Sequence, residues 1–166
     1  MRSLMEMMEV HRDLRERFAR HRDFVVGLEF ARALEVLIDF EQALKRHMED
    51  EEKHILPLYE SRVGHVPGGD PRFFYLEHAN LLRNLETLKE SLRRLALNPD
   101  AGRRQAHEFL HEEGLFLQLL EHHDLRERNI LYPSLDRVLS EEERKALLEA
   151  CERPEPPSSA EPGPAR

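Results

Sequence analysis

Apolar residues return every three or four positions along most of this chain, the spacing of amphipathic helices rather than strands. The first stripe, Leu4, Met7, His11, Leu14, Phe18 and Val25, predicts helix A from Leu4 to Val26, with Gly27 as the residue that stops it. The pattern resumes from about Leu28 with Phe30, Ala33, Leu37, Phe40, Leu44, His47, Glu51, Ile55 and Leu58, a helix B that closes near Arg62. Pro57 is expected to kink or break the last turns of that helix, because proline removes one backbone donor and crowds the preceding turn. Val63 to Pro71 reads as a loop, and Asp70 followed by Pro71 is the cap and first position of helix C. Its seam runs Phe74, His78, Leu81, Leu85, Leu88, Leu92 and Leu95 until Asn98-Pro99-Asp100 ends it. Helix D carries Phe109, Phe116, Leu119, Leu120, His123, Glu127 and Leu131 on one face, and Pro133 marks its expected end. Ser140 with Glu143 has capping-box spacing and opens a short fifth helix through about Cys151. The predicted fold is all-α, an up-down-up-down four-helix bundle over residues 1–152, followed by a Pro-rich tail at 153–166 expected to be disordered.

Set side by side, the stretches after each first helix look like copies. His47-x-x-x-Glu51 is followed by Pro57 and His123-x-x-x-Glu127 by Pro133, with the same ten-residue step from His to Pro. Upstream of each copy stands one His-x-x-Leu, at His11 and at His78. The chain therefore reads as two helix hairpins, each with one His on its first helix and His-x-x-x-Glu on its second. A spacing of four stacks His and Glu on one helix face, where imidazole and carboxylate reach a common ion. Such a donor set suits iron, manganese or zinc.

Heights agree with this pairing. The midpoint between His78 and His123 falls in the Asn98-Pro99-Asp100 turn, and that between His11 and His47 falls beside Gly27, as antiparallel helices meeting at one level require. His21 would place the first turn inside a helical run, and it stands about 15 Å along the axis from His11, so it reads as a buried or flanking histidine. His122 is an alternative ligand five residues before Glu127, although alignment with His47 favours His123. His54 reads as a hydrogen-bonding neighbour of the site, and His65, His107 and His111 as loop or surface residues. A ferritin-like pairing of Glu51-x-x-His54 with Glu108-x-x-His111 fails, because the two motifs sit about 24 Å apart in height. In the run Asp50-Glu51-Glu52, the residues other than Glu51 read as a solvated face.

Composition narrows the classes. At 166 residues, with 40% hydrophobic and 35% charged residues, the chain suits one helical domain. A net charge of -8 gives no footprint for nucleic acid or for an anionic membrane surface, and no segment has the apolar length of a span or the core of a signal peptide. A cytoplasmic location is the expectation. With Cys151 as the single cysteine, an intrachain disulfide or thiolate cluster is ruled out, so a metal would rest on His, Asp and Glu.

The order His11, His47-x-x-x-Glu51, His78, His123-x-x-x-Glu127 resembles the pattern of the hemerythrin-like HHE proteins over about residues 4 to 136. The resemblance implies a non-haem di-iron centre, with the four histidines as terminal ligands and Glu51 and Glu127 as bridges. Oxygen-carrying hemerythrins have an extra histidine one turn from that on the third helix, where this chain has Phe74 and Leu82. In that respect it is similar to the four-His, two-carboxylate centres of iron-sulfur cluster repair proteins and sensor-type HHE domains. The repair proteins also carry a cysteine-containing N-terminal domain, which this sequence does not show.

The expected function is binding, sensing or handling of O2, NO or related oxidants by two iron ions, inside a shell of Phe40, Leu44, Phe74, Leu81, Leu82, Leu119 and Leu120. Turnover of NO or peroxide, iron donation in cluster repair, and a structural metal bundle that docks a protein partner are the alternatives.

Overall fold

Helix formation starts at the third residue. Ser3 closes a capping box, its hydroxyl accepting from the Met5 N–H while Glu6 accepts from the Ser3 N–H. One 3-10 turn, Leu4–Met7, leads into α1 (Met8–Val26). The chain, a computed structural model describing residues 2–151, continues as α2 (Phe30–Asp50), α3 (Leu56–Arg62), α4 (Pro71–Leu97), α5 (Arg103–Arg126), α6 (Tyr132–Val138) and α7 (Glu141–Cys151). The tail expected at 153–166 lies outside the described residues. Helices α1, α2, α4 and α5 pack in that order around one core, and α1 closes the ring against α5. Asp70 caps α4 through the Arg72 N–H, and Ser140 forms the expected box with Glu143.

The prolines do not act as expected. Helix B runs through Pro57 to Arg62 and helix D through Pro133 to Val138, each by way of a π-helical turn, Glu51–Ile55 and Glu127–Leu131. The Leu56 N–H bonds the Glu51 carbonyl and the Tyr132 N–H bonds the Glu127 carbonyl, so the residue before each proline closes a turn one residue wider than an α-turn. That widening accommodates the proline's missing donor and displaces the carbonyl its ring would strike. It also brings neighbouring residues inward together, since Ile55 and Leu56, and likewise Leu131 and Tyr132, are all fully buried.

The first turn differs from expectation by one residue. Gly27 has ordinary right-handed angles (φ -73), and Leu28 takes the left-handed conformation (φ 62). Leu28 and Glu29 donate to the Val25 and Phe24 carbonyls, the two bonds of a Schellman motif.

Two apolar clusters flank the middle of the bundle. One, towards the α1–α2 and α4–α5 turns, contains Leu14, Phe18, Phe40, Leu44, Leu81, Leu85, Phe116 and Leu120, with Leu82 and Leu119 partly buried against it. Phe18 meets Phe40 at 5.0 Å and Phe116 at 5.3 Å between ring centroids. The other joins Leu4, Met7, Ile55, Leu56, Tyr59, Phe74, Leu131, Tyr132 and Leu135 with Leu147 and Leu148 of α7. Of the expected shell, Phe74 belongs to this second cluster and the other six residues lie in or against the first. The loop before α4 is fixed to it by Tyr59, whose hydroxyl donates to the Gly69 carbonyl at 2.8 Å. A Cβ at Gly69 would collide with that hydroxyl and with Ile130.

Candidate metal centre

Between the two clusters lie His11 on α1, His47 on α2, His78 on α4 and His123 on α5, with Glu51 and Glu127 at the first position of each π-turn. All six are buried, Glu51 and Glu127 completely. The hairpins present their rings alike: His11 and His47 meet edge to face at 4.6 Å and 83°, His78 and His123 at 4.8 Å and 78°.

Two groups of donor atoms result, each confined within 4.8 Å. One consists of Glu51, His78, His123 and Glu127, the other of His11, His47 and Glu127. In the first group Glu51 Oε2, His78 Nε2, His123 Nε2 and Glu127 Oε1 are buried and, among the described residues, have no hydrogen-bond partner outside the group: His123 Nε2 faces Glu127 Oε1 at 2.7 Å and His78 Nε2 lies 3.3 Å from Glu51 Oε2. Leaving one buried polar atom unsatisfied costs about 1–3 kcal/mol, and four that face only one another form a group that could hold an ion. In the second group the Nε2 atoms of His11 and His47 approach to 2.8 Å, and Glu127 Oε2 lies 3.1 Å from His11. Two imidazole nitrogens aimed at each other beside a carboxylate also fit a shared cation.

Glu127 thus offers one oxygen to each group. Glu51 departs from that symmetry: its Oε1 accepts from the Tyr132 hydroxyl at 2.6 Å, leaving Oε2 for the first group. The same hydroxyl lies 3.3 Å from His11 Nε2. Pattern reading did not single out Tyr132, which stands before Pro133 where the first copy has Leu56.

Three ligand rings are fixed from behind. Asp124 holds His11 Nδ1 at 2.8 Å, Glu52 holds His78 Nδ1 at 2.8 Å, and Glu77 lies 3.3 Å from His123 Nδ1. Carboxylates behind imidazoles set ring orientation and raise ligand basicity. Glu52 is therefore more than part of a solvated face. His47 Nδ1 has no partner.

The remaining histidines separate clearly. His122 is exposed, accepts from Arg126 at 2.9 Å and belongs to neither donor group. His54 is half-buried and makes no hydrogen bond to the six among the described residues. His21 is fully buried in the first apolar cluster's half of the bundle, bonded to the Ala33 carbonyl at 2.8 Å and to Glu113 at 2.5 Å. His65, His107 and His111 are exposed.

Opposite charges meet inside the cluster. Burial works against a charged His11, but hydrogen bonds to Asp124 and Glu127 outweigh it and hold its pKa up at about 10. His123 also reaches about 10, burial being overcome by the Glu127 charge and by hydrogen bonds to Glu127 and Glu77. His78 is raised to about 9 by Glu127 and Glu51 against the same penalty. For His47 burial prevails and the pKa falls. Glu127 is held well below the usual carboxylate range, since the His123 charge and hydrogen bonds from His11, His123 and His78 overcome its burial. Burial and the Glu127 and Glu51 charges push the Tyr132 phenol well up. A metal held by these residues would have to displace the imidazole protons, because nitrogen ligands bind in the neutral form.

Among the described residues no helix is long and apolar enough to cross a membrane. No curated protein and no solved structure matches this chain. The family model described as the hemerythrin HHE cation binding domain matches residues 3–135, the span that supplies every residue of the two donor groups, and the chain therefore belongs to the hemerythrin HHE cation-binding family.

Proposed function

We propose that His11, His47, Glu51, His78, His123 and Glu127 hold two iron ions, and that the pair binds or senses O2, NO or a related oxidant. The observation that carries this reading is the convergence of four buried donor atoms that face only one another, next to a second group that shares Glu127. Four imidazoles with two carboxylates suit a divalent first-row metal, iron first and manganese or zinc after it.

When bound, the ferrous pair supplies reducing electrons and coordination positions that the protein donors leave open. The protein's contribution is orientation and exclusion of water. Glu127 spans the two groups, Tyr132 sets Glu51, and Asp124, Glu52 and Glu77 fix three of the rings. The aromatic layer of Phe18, Phe40 and Phe116 on one side, and Ile55, Phe74 and Leu131 on the other, keep the donors in a low-dielectric setting.

The test is metal content and the near-ultraviolet and visible spectrum of anaerobically iron-loaded protein, before and after oxygen and again after its removal. The expected result is two irons per chain and new bands on exposure. Reversible bands fit carriage or sensing, and irreversible ones fit turnover. His47→Ala and Glu127→Ala should each lose much of the iron, and exposed His107→Ala should not. Absence of bound iron in the wild type would sink the reading. Iron donation is the second reading, favoured by the uneven support of the two groups: only the His11–His47 group has an unpartnered Nδ1.

A further inference from the structure

The two hairpins match closely enough to be compared residue by residue outside the donor atoms. In the second, Glu77 directly precedes His78 and Arg126 directly precedes Glu127. Glu77 lies behind His123 and binds Arg126 at 2.9 Å; Arg126 in turn bonds the Gly68 carbonyl and lies 5.0 Å over the Phe73 ring. That side of the centre is closed by an ion pair and a loop.

In the first hairpin the matching positions are Val10, directly before His11, and Asp50, directly before Glu51. Valine cannot accept a hydrogen bond and aspartate cannot take the place of the arginine. Here a cleft of about 500 Å³ lies between α1 and α2, with Val10, Asp50 and His47 in its wall and Leu148 and Cys151 of α7 at its side. His47 is 3% exposed; its Nε2 is turned to His11, and its Nδ1 has no partner. The orphaned nitrogen and the cleft both lie where the first hairpin lacks the Glu–Arg pair of the second.

Charge selects what the cleft admits. Of the arginines along it, Arg2 is engaged by Glu6 and Arg17 by Asp13. Glu9, Glu49 and Asp50 then stand against Arg46, a net negative lining that attracts cations. The group it reaches is also the less supported: three protein residues against four, and one of two rings backed by a carboxylate against two of two. Loss of such a backing partner weakens metal binding by about 10–100-fold.

We propose that this α1–α2 cleft is the port for a hydrated divalent cation, and that the ion on the His11–His47 side enters and leaves through it faster than the ion on the His78–His123 side. This rests on the two-ion reading above. The structure makes the centre half fixed and half exchangeable.

The experiment uses the whole chain loaded anaerobically with ferrous ion and mixed with excess chromogenic ferrous chelator. Two phases of equal amplitude are expected. Val10→Glu, which supplies the carboxylate that Glu77 provides in the other half, should slow the fast phase roughly tenfold and leave the slow phase unchanged. Glu77→Val, the reverse exchange, should speed the slow phase, and it gives a second decision if either variant folds poorly. Two irons leaving in a single phase, or a fast phase unmoved by Val10→Glu, would overturn the port while leaving the two-iron centre intact. A wild type that binds no iron would instead remove the centre itself.

Discussion

The hydroxyl of Tyr132 donates to Glu51 at 2.6 Å, joining the π-turn of one hairpin to the residue that closes the π-turn of the other. It takes one Glu51 oxygen out of metal reach and orients the second towards His78, 3.3 Å away. Tyr132→Phe keeps the buried ring and removes the hydroxyl, and with it this bond and the longer contacts to His11 at 3.3 Å and Glu127 at 3.5 Å. The expected outcome is an unchanged helical spectrum with metal affinity lowered about 10–100-fold, measured by competition with a chelator of known affinity. Unchanged affinity would show that Glu51 needs no such support.

A second buried pair stands apart from the centre. His21 and Glu113, both fully buried, join α1 to α5, and His21 also bonds the Ala33 carbonyl of α2. Removing one member leaves the other buried without its partner, so Glu113→Ala should cost about 3 kcal/mol in urea denaturation of the metal-free protein. The double replacement His21→Phe with Glu113→Leu should recover most of that loss. Because the pair sits about 15 Å along the axis from His11, both variants should keep full iron content. Loss of iron in Glu113→Ala would tie the pair to the centre.

The six candidate ligands were legible because duplication leaves a register that single motifs lack, and the same register exposed the two prolines. What surrounds the ligands was hidden for physical reasons. Asp124, Glu52 and Glu77 are sequence neighbours of ligands and lie off the apolar stripes, so periodicity treats them as surface. Glu113 lies on the buried stripe between Phe109 and Phe116, a position that could have marked it as a core carboxylate. Tyr132 stands beside a proline expected to end the helix; only a widened turn lets the helix continue and bury its hydroxyl. The fold was otherwise readable from the 3.6-residue repeat and the caps, as Asp70 and Ser140 illustrate.

The cap at Asp70 carries a pH prediction. Hydrogen bonds from the Arg72 side chain and N–H hold the Asp70 carboxyl down at about 2, below its ordinary value of 3.8. A carboxyl depressed on folding adds stability above its unfolded pKa and loses it as pH falls through the folded value. Asp70→Asn retains a cap that does not titrate. The advantage of the wild type over this variant should hold at about pH 5 and shrink steadily towards pH 2–3, read by denaturant titration of the metal-free proteins. A constant difference would mean that the charge on Asp70 adds nothing to the cap.

The turn between α1 and α2 joins the two ligand helices His11 and His47, and its backbone places the wrong residue in the left-handed position. Leu28 has φ 62 where glycine is favoured, while Gly27 has φ -73, where a side chain costs nothing. A Cβ on Gly27 would come no closer than 3.4 Å to the Asp23 carbonyl, an ordinary contact. Leu28→Gly should relieve left-handed strain of about 1–2 kcal/mol, offset in part by the burial that a residue only 37% exposed gives up and by the freer unfolded chain, for a net gain of about 0.5 kcal/mol. Gly27→Ala should add about 0.5–1 kcal/mol by restricting the unfolded chain. Both gains should raise the urea midpoint without changing the slope of the transition. Destabilisation by Leu28→Gly would mean that its apolar contacts outweigh the strain, and the turn would then be held by its side chain rather than by its two backbone bonds.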